Sequence, residues 1–86
     1  MQISIRGRHI DLGDAFRQHA EDRLGELISK YFENAIEAAV VVDRDGSDIK
    51  ADITVHVHKG MVIQGSGENS DVYVAFDQAA ERIAKQ

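Results

Sequence analysis

His56 and His58 form the one pattern in this sequence whose residue types and spacing could bind a metal ion. In an extended strand, residues two apart point to the same face and lie about 7 Å apart, so both imidazoles could approach one ion. A protein metal site needs at least a third ligand, and no other residue stands at a diagnostic spacing from this pair. We therefore interpret both as solvent-facing strand histidines, and the sequence predicts no metal and no cofactor.

The sequence also lacks the patterns of an enzyme. It contains no P-loop, no dinucleotide-binding fingerprint, no nucleophile elbow and no zinc-protease motif. Its 86 residues suffice for one domain. Cysteine is absent, and no apolar run approaches the length of a membrane span. These features predict a single cytoplasmic domain, without membrane contact, that acts by binding and has no catalytic residues.

The sequence predicts four β-strands. Residues 2–8 alternate between apolar and polar side chains, and residues 49–57 alternate most clearly of all. The nearly continuous apolar run at 35–43 is typical of a central strand. A hairpin turn is predicted at 44–47, and a fourth strand at 61–66. Two glycines, Gly65 and Gly67, are expected to loosen the end of that fourth strand.

Two amphipathic helices complete the set of elements. The pattern of the first opens at Leu12, with Gly13 as its N-cap, and this helix is expected to end near residues 32–34. Gly25 inside it costs about 1 kcal/mol relative to Ala, and it either marks a close approach to the sheet or is tolerated. The second helix begins after Ser70 or Asp71 as N-cap. Its apolar stripe consists of Val72, Phe76, Ala79, Ala80 and Ile83, as the stripe of the first helix consists of Phe16, Ala20, Leu24, Leu27, Ile28 and Tyr31.

The lengths of the connections predict the topology. A helix joins the first two strands, so they should be parallel, while tight turns join the last three into an antiparallel meander. We therefore predict an α+β fold of order β-α-β-β-β-α. Its four-stranded mixed sheet should carry both helices on the face of Ile3, Ile5, Ile53 and Val55, leaving the other face open.

Several short segments, taken in order, resemble a known family. They are IRGR at 5–8, AFR at 15–17, YF at 31–32, ADITV at 51–55 and DVYVAFD at 71–77. Each is weakly specific alone, but their order and spacing across the whole chain are similar to those of ribosome hibernation factors. That family comprises the hibernation-promoting factor and ribosome-associated inhibitor proteins, also described as sigma-54 modulation proteins.

The resemblance implies a function for the chain. It implies that residues 1–86 are a ribosome-binding N-terminal domain that occupies the mRNA and tRNA channel of the small ribosomal subunit. Binding there would inhibit translation during stress or stationary phase. Long members of the family carry a separate C-terminal domain that pairs ribosomes into dimers. The abrupt end of the helical pattern at Gln86 favours a fragment of such a long form.

The resemblance also implies which residues contact the phosphates of rRNA. By family position they are Arg82 and Lys85 on the second helix and Arg17 and Arg23 on the first. Arg82 and Lys85 share one exposed helix face, since they lie three residues apart. Strand parity adds three weaker candidates on the open face, Arg6, Arg8 and Lys50, and Tyr73 could either stack on a base or pack in the fold.

The charge of the chain leaves two other functions open. The formal net charge is −5, whereas many RNA-binding domains are basic. The first helix is rich in acids, and Glu26 stands where members of the family carry Lys. One alternative is a protein-interaction module, without an RNA role, that uses a sheet edge or the open face with Thr54, His56 and His58. The other is a small-molecule or metal-binding domain that uses those histidines.

Overall fold

The secondary-structure elements follow the predicted β-α-β-β-β-α order. The computed structural model describes the backbone of residues 1–86 and every side chain except that of Lys59. The elements are β1 Gln2–Arg8, α1 Gly13–Tyr31, β2 Glu37–Asp45, β3 Asp48–His56, a short 3-10 turn His58–Gly60, β4 Val62–Asn69 and α2 Val72–Ala84.

The four strands form one mixed sheet in the order β1-β2-β3-β4. β1 pairs with β2 in parallel, while β2 with β3 and β3 with β4 are antiparallel. One row of paired residues runs across the sheet through Ile5, Val40, Ile53 and Gly65. The predicted topology is therefore confirmed, and β1 and β4 are the two edge strands.

Both helices cover one face of this sheet, as predicted. Phe16 and Leu24 of α1 and Phe76 of α2 are buried with the inward residues of the strands, among them Ile53. The rings of Phe16 and Phe76 meet edge to face, with their centroids 5.8 Å apart. Alternation in the strands and helical periodicity in α1 and α2 thus place the apolar side chains in one core.

The predicted N-cap is found at the start of α2 but not at the start of α1. Asp71 caps α2, since its carboxylate accepts a hydrogen bond from the Tyr73 amide at 2.8 Å. The first helix begins at Gly13 itself, whose φ is +74°, and no side chain caps it. The N-cap is Leu12, so the prediction for Gly13 was wrong by one position. A Cβ added to Gly25 would meet nothing within 4 Å, so that glycine marks no close approach.

Gly65 and Gly67 correct the prediction for the fourth strand. β4 continues past both of them to Asn69, so they do not loosen its end. A Cβ at Gly65 would lie 2.6 Å from the Ala79 carbonyl oxygen, and one at Gly67 would lie 2.1 Å from that of Ala75. These glycines therefore let the backbone of α2 pack directly against β4.

Candidate nucleic-acid interface

The outer edge of β4 is closed by three polar side chains that reach over it from α2 and the residues just after it. The α-helix rises about 6 Å over four residues, close to the roughly 6.6 Å spanned by two residues of a strand. Side chains four apart on α2 can therefore meet every second residue of β4. Gln78 accepts from the Glu68 amide at 3.1 Å, Arg82 donates to the Ser66 carbonyl, and Gln86 donates to the Gln64 carbonyl at 2.6 Å.

Arg17 has the same role at the opposite edge of the sheet. Its guanidinium, on α1, donates to the Ile5 carbonyl of β1 at 2.8 Å. Arg17 and Arg82, both predicted to bind rRNA, thus lie at opposite edges and do not form one patch. Each is exposed and has five N–H donors, so one bond to a carbonyl leaves most donors free for a phosphate.

The other two helix candidates differ in their surroundings. Lys85 lies 3.4 Å from the carboxylate of Glu81, one turn earlier on α2. An exposed pair of this kind contributes little, and a phosphate can replace the carboxylate. Arg23 is exposed and lines a shallow groove together with Ala84 at the C-terminal end of α2. Arg82 and Lys85 border one shallow depression, as their predicted common face implies, but the structure does not gather all four helix cations into a single cluster.

The three strand candidates lie on the open face of the sheet, as strand parity predicts. Cross-strand pairing places Arg8 and Lys50 next to carboxylates, whereas Arg6 pairs with Val41. One row consists of Arg8, Asp43, Lys50 and Glu68, and the next consists of Arg6, Val41, Asp52 and Ser66. Arg8, Lys50 and both aspartates line a shallow depression of about 530 Å³. The open face is consequently mixed in charge and is not a basic surface.

Asp43, which lines this depression, has a lowered pKa. The imidazole of His9 donates to its carboxylate, with Nδ1 and Oδ1 3.1 Å apart. This hydrogen bond lowers the pKa of Asp43 below its ordinary value of 3.8, and the positive charge of Arg8 acts in the same direction. The carboxylate at this end of the open face therefore stays ionised to lower pH.

The two histidines that could have bound a metal do not share a strand face. β3 ends at His56, and His58 lies in the following 3-10 turn, so alternation no longer applies to it. His56 pairs instead with the Glu37 carboxylate, with Nδ1 and Oε1 3.0 Å apart. Among the side chains that the structure describes, no three or more His, Asp or Glu residues cluster as possible ligands.

Tyr73 of α2 contacts aromatic rings of α1, although 38% of the residue is exposed. Its ring meets Phe16 at 5.4 Å and His19 at 5.1 Å between centroids, both edge to face. His19 also bonds to Asp77 of α2 at 3.1 Å, so Tyr73 belongs to the contact between α1 and α2. Tyr31 was predicted in the buried stripe of α1, but its side chain is 51% exposed. In the sequence, the one sign that Tyr31 could be exposed is Lys30, the charged residue directly before it.

Over the part of the chain that the structure describes, neither helix combines the length and the apolar character that a membrane span requires.

Comparison with known proteins provides a family match. The family described as "Sigma 54 modulation protein / S30EA ribosomal protein" matches residues 3–86. A "Ribosome hibernation promotion factor" of Rhizobium meliloti strain 1021 is 34% identical over 86 residues, which are 100% of this chain and 45% of that protein. One from Bradyrhizobium diazoefficiens is 28% identical, and the chain covers 42% of its length. The chain thus spans less than half the length of both.

Shorter relatives and solved structures agree with this match. The "Ribosome hibernation promoting factor" of Escherichia coli K12 is 29% identical, over 100% of this chain and 88% of its own length. The Thermus thermophilus Protein Y N-terminal domain superposes with a TM-score of 0.85 at 30% identity, covering 100% of this chain and 94% of that one. A ribosomal subunit interface protein from Coxiella burnetii, at 19% identity, has the same fold with a TM-score of 0.87, covering 100% and 92%.

Proposed function

The chain belongs to the family of sigma 54 modulation proteins and S30EA ribosomal proteins, and on this premise we propose that it is the ribosome-binding domain of a hibernation factor. It binds the small ribosomal subunit in the mRNA and tRNA channel and inhibits translation in the cytoplasm during stress or stationary phase. The observation that carries the proposal is the family match over residues 3–86, joined to relatives named as hibernation factors that match the whole chain.

Occupancy of the channel is the proposed mechanism, with no chemical step. A domain that fills the channel excludes mRNA and tRNA sterically, and its affinity comes from cations placed against rRNA phosphates. Arg17 and Arg82 suit this role because each guanidinium is held at one N–H by a carbonyl of an edge strand. A guanidinium that is already held in place loses less side-chain entropy than a freely rotating one when its remaining donors bind a phosphate.

The net charge of −5 determines what kind of binding is expected. Each exposed face carries both signs, so long-range attraction to RNA is weak. Affinity must then come from a few short-range contacts, and its dependence on salt should reflect those few phosphates. We expect a slow, short-range association and not the strong steering of a basic protein.

The proposal is tested by sedimenting the 86-residue chain with purified small ribosomal subunits at low and moderate salt. The chain should sediment with the subunits, and rising salt should release it. Arg17→Gln and Arg82→Gln should each weaken this binding. Arg44→Gln is the matched control, because it removes the same charge at an exposed position outside the candidate set. Absence of binding at low salt would overturn the proposal for this chain.

One observation favours a second function, a protein-interaction module on the open face. The alternating signs in the row of Arg8, Asp43, Lys50 and Glu68 suit a protein surface better than a row of phosphates. A partner strand at β1 or β4 is disfavoured, since helix side chains already bond to both edges. Asp52→Ala separates the two functions, because it should weaken a protein partner and leave binding to rRNA unchanged or stronger.

A further inference from the structure

Tyr31 is an exposed aromatic residue at the C-terminal end of α1. It borders a groove of about 190 Å³ between that end of α1 and the end of α2. The groove, here named the Tyr31 groove, is lined by Arg23, Glu26, Leu27, Lys30, Tyr31 and Ala84. The ammonium of Lys30 lies 5.3 Å from the centroid of the Tyr31 ring. The other aromatic neighbour, Phe32, is tilted at 58° with centroids 6.5 Å apart, so it does not stack on the ring.

Apart from the contact of Lys30 with the Tyr31 ring, the charged side chains of this groove have no polar partner among the residues that the structure describes. Arg23, Glu26 and Lys30 make no salt bridge and no side-chain hydrogen bond within the part of the chain that the structure describes. Arg17 and Arg82, in contrast, each bond to a carbonyl. The Tyr31 groove therefore combines an exposed ring with donors and an acceptor that the fold does not use.

We propose that the Tyr31 groove holds one unpaired nucleobase of RNA, stacked on the ring of Tyr31. The inference rests on the proposed function and identifies where the domain contacts a base in addition to phosphates. Single-stranded RNA is commonly recognised by stacking its splayed bases on aromatic side chains with cations nearby. The groove is smaller than the roughly 300 Å³ at which pockets for whole small molecules begin, so it suits one planar ring.

The charges determine which part of a nucleotide enters the groove. The Glu26 carboxylate repels a phosphate, whereas it accepts hydrogen bonds from the amino or imino groups on the edge of a base. Leu27 and Ala84 supply apolar surface beside the ring. Arg23 and Lys30, on the rim, can reach the phosphates on either side of the base. The base therefore lies in the groove, and its phosphates lie outside it.

Tyrosine fluorescence provides a direct probe, because the chain has two tyrosines and no tryptophan. Tyr73→Phe keeps the interhelical ring and leaves Tyr31 as the only tyrosine. In this variant, short single-stranded RNA should quench the emission at low salt. An abasic oligonucleotide with the same phosphates should not quench it. Arg23→Gln and Lys30→Gln should each lower the slope of log affinity against log salt by about one, because each removes a phosphate contact.

Binding to the small subunit is then compared among Tyr31 variants. Tyr31→Leu should weaken it by roughly 5- to 150-fold, the loss expected for one base–aromatic stack. Tyr31→Phe should bind like the wild type, since a phenyl ring also stacks. Thermal melting checks that both variants are folded, which is expected because Tyr31 is 51% exposed.

The outcomes separate this inference from the proposed function. Unchanged subunit binding by Tyr31→Leu would overturn the base site and leave the proposed function in place. Weaker binding without quenching by RNA would assign the groove to a ribosomal protein and also overturn the base site. Quenching by RNA in a chain that does not bind subunits would support the groove and reject the proposed function. Absence of both signals would reject both.

Discussion

Arg82 has two roles at the scale of single residues. One N–H of its guanidinium donates to the Ser66 carbonyl at the edge of β4, and the others are free for a phosphate. Lys85, one turn further on, is held only by an exposed pair with Glu81. Arg82 therefore contributes both to stability and to the proposed RNA contact, while Lys85 contributes mainly to the latter.

Replacing Arg82 and Lys85 together by Gln tests these roles. Binding to the small subunit should weaken, and the slope of log affinity against log salt should fall by about one to two. The free energy of unfolding should fall by about 1–2 kcal/mol, mostly through the lost bond to Ser66. Cosedimentation and urea denaturation measure the two effects, with Arg44→Gln as the charge-matched control. Unchanged affinity with lower stability would assign both residues to the fold alone.

The hydrogen bond between His9 and Asp43 should make the stability of the fold depend on pH. Because the pKa of Asp43 is lowered in the folded state, its contribution to stability is present above the ordinary value of 3.8. That contribution is lost as the pH falls through the lower folded pKa. His9→Gly should raise the pKa of Asp43, as followed by NMR titration of the carboxylate. Glycine is chosen because φ at position 9 is +61°.

A control for this titration is available at another histidine–carboxylate pair. His56→Gln removes the imidazole that bonds to Glu37 and leaves His9 in place. The pKa of Asp43 should not change in this variant. If His9→Gly also leaves that pKa unchanged, the lowering would have to come from the charge of Arg8 and the backbone amide of Arg44.

At the scale of elements, the contact between α2 and β4 organises this side of the molecule. Gly65 and Gly67 present bare backbone to the helix, and Ala75 and Ala79 keep the facing surface of α2 small. The close approach brings the helix near enough for its polar side chains to reach over the edge of β4. The same packing thus fills the core, protects an edge strand from pairing with another chain and orients Arg82.

Adding a methyl group at each glycine tests this contact. Gly65→Ala and Gly67→Ala should destabilise the fold by roughly 1–3 kcal/mol or more, because the new Cβ meets the backbone of α2, which cannot move alone. Gly67→Ala should be the worse of the two, since its closest distance is 2.1 Å against 2.6 Å. Urea denaturation measures both.

Gly25→Ala is the matched control for the glycine variants. A Cβ there meets nothing within 4 Å, and Ala is the better helix former, so the helix should gain about 0.5–1 kcal/mol. Equal stability of all three variants would mean that α2 lies further from β4 than in this structure.

At the scale of the whole molecule, helix side chains bond to both edges of the sheet, and the open face carries charges of both signs. The bonds from helix side chains to both edges disfavour strand pairing, and the mixed charges of the open face disfavour non-specific binding to nucleic acid. We propose that pairing of ribosomes, as expected for long members of the family, requires a C-terminal domain beyond the segment represented by residues 1–86.

If ribosome pairing requires a C-terminal domain, residues 1–86 should bind ribosomes without pairing them. Residues 1–86 should bind small subunits as a monomer and should not pair ribosomes, whereas a chain that also carries the C-terminal domain should pair them. Sucrose-gradient sedimentation of ribosomes with each chain distinguishes single from paired particles. Pairing by residues 1–86 alone would place the association surface in this domain.

The sequence alone was enough to predict the order of elements, the topology of the sheet and most of the core. Ile53 and Phe76 were placed correctly because period-two and period-3.6 patterns are local properties of a chain that must bury one face. The Asp71 cap was predictable for the same reason, since it bonds two residues away. The family resemblance likewise depended on short segments and their order, and the family match confirms it.

The tertiary structure decided what depends on distances between elements. Local patterns could not show that Gly65 and Gly67 admit a helix, that Arg17 and Arg82 bond to edge strands, or that Tyr73 and not Tyr31 contacts the rings of the other helix. Each of these facts involves residues that come together only when α1, α2 and the sheet pack. Periodicity assigns a side chain to a face, but the neighbouring element decides whether that face is covered, and so which residues remain free to bind.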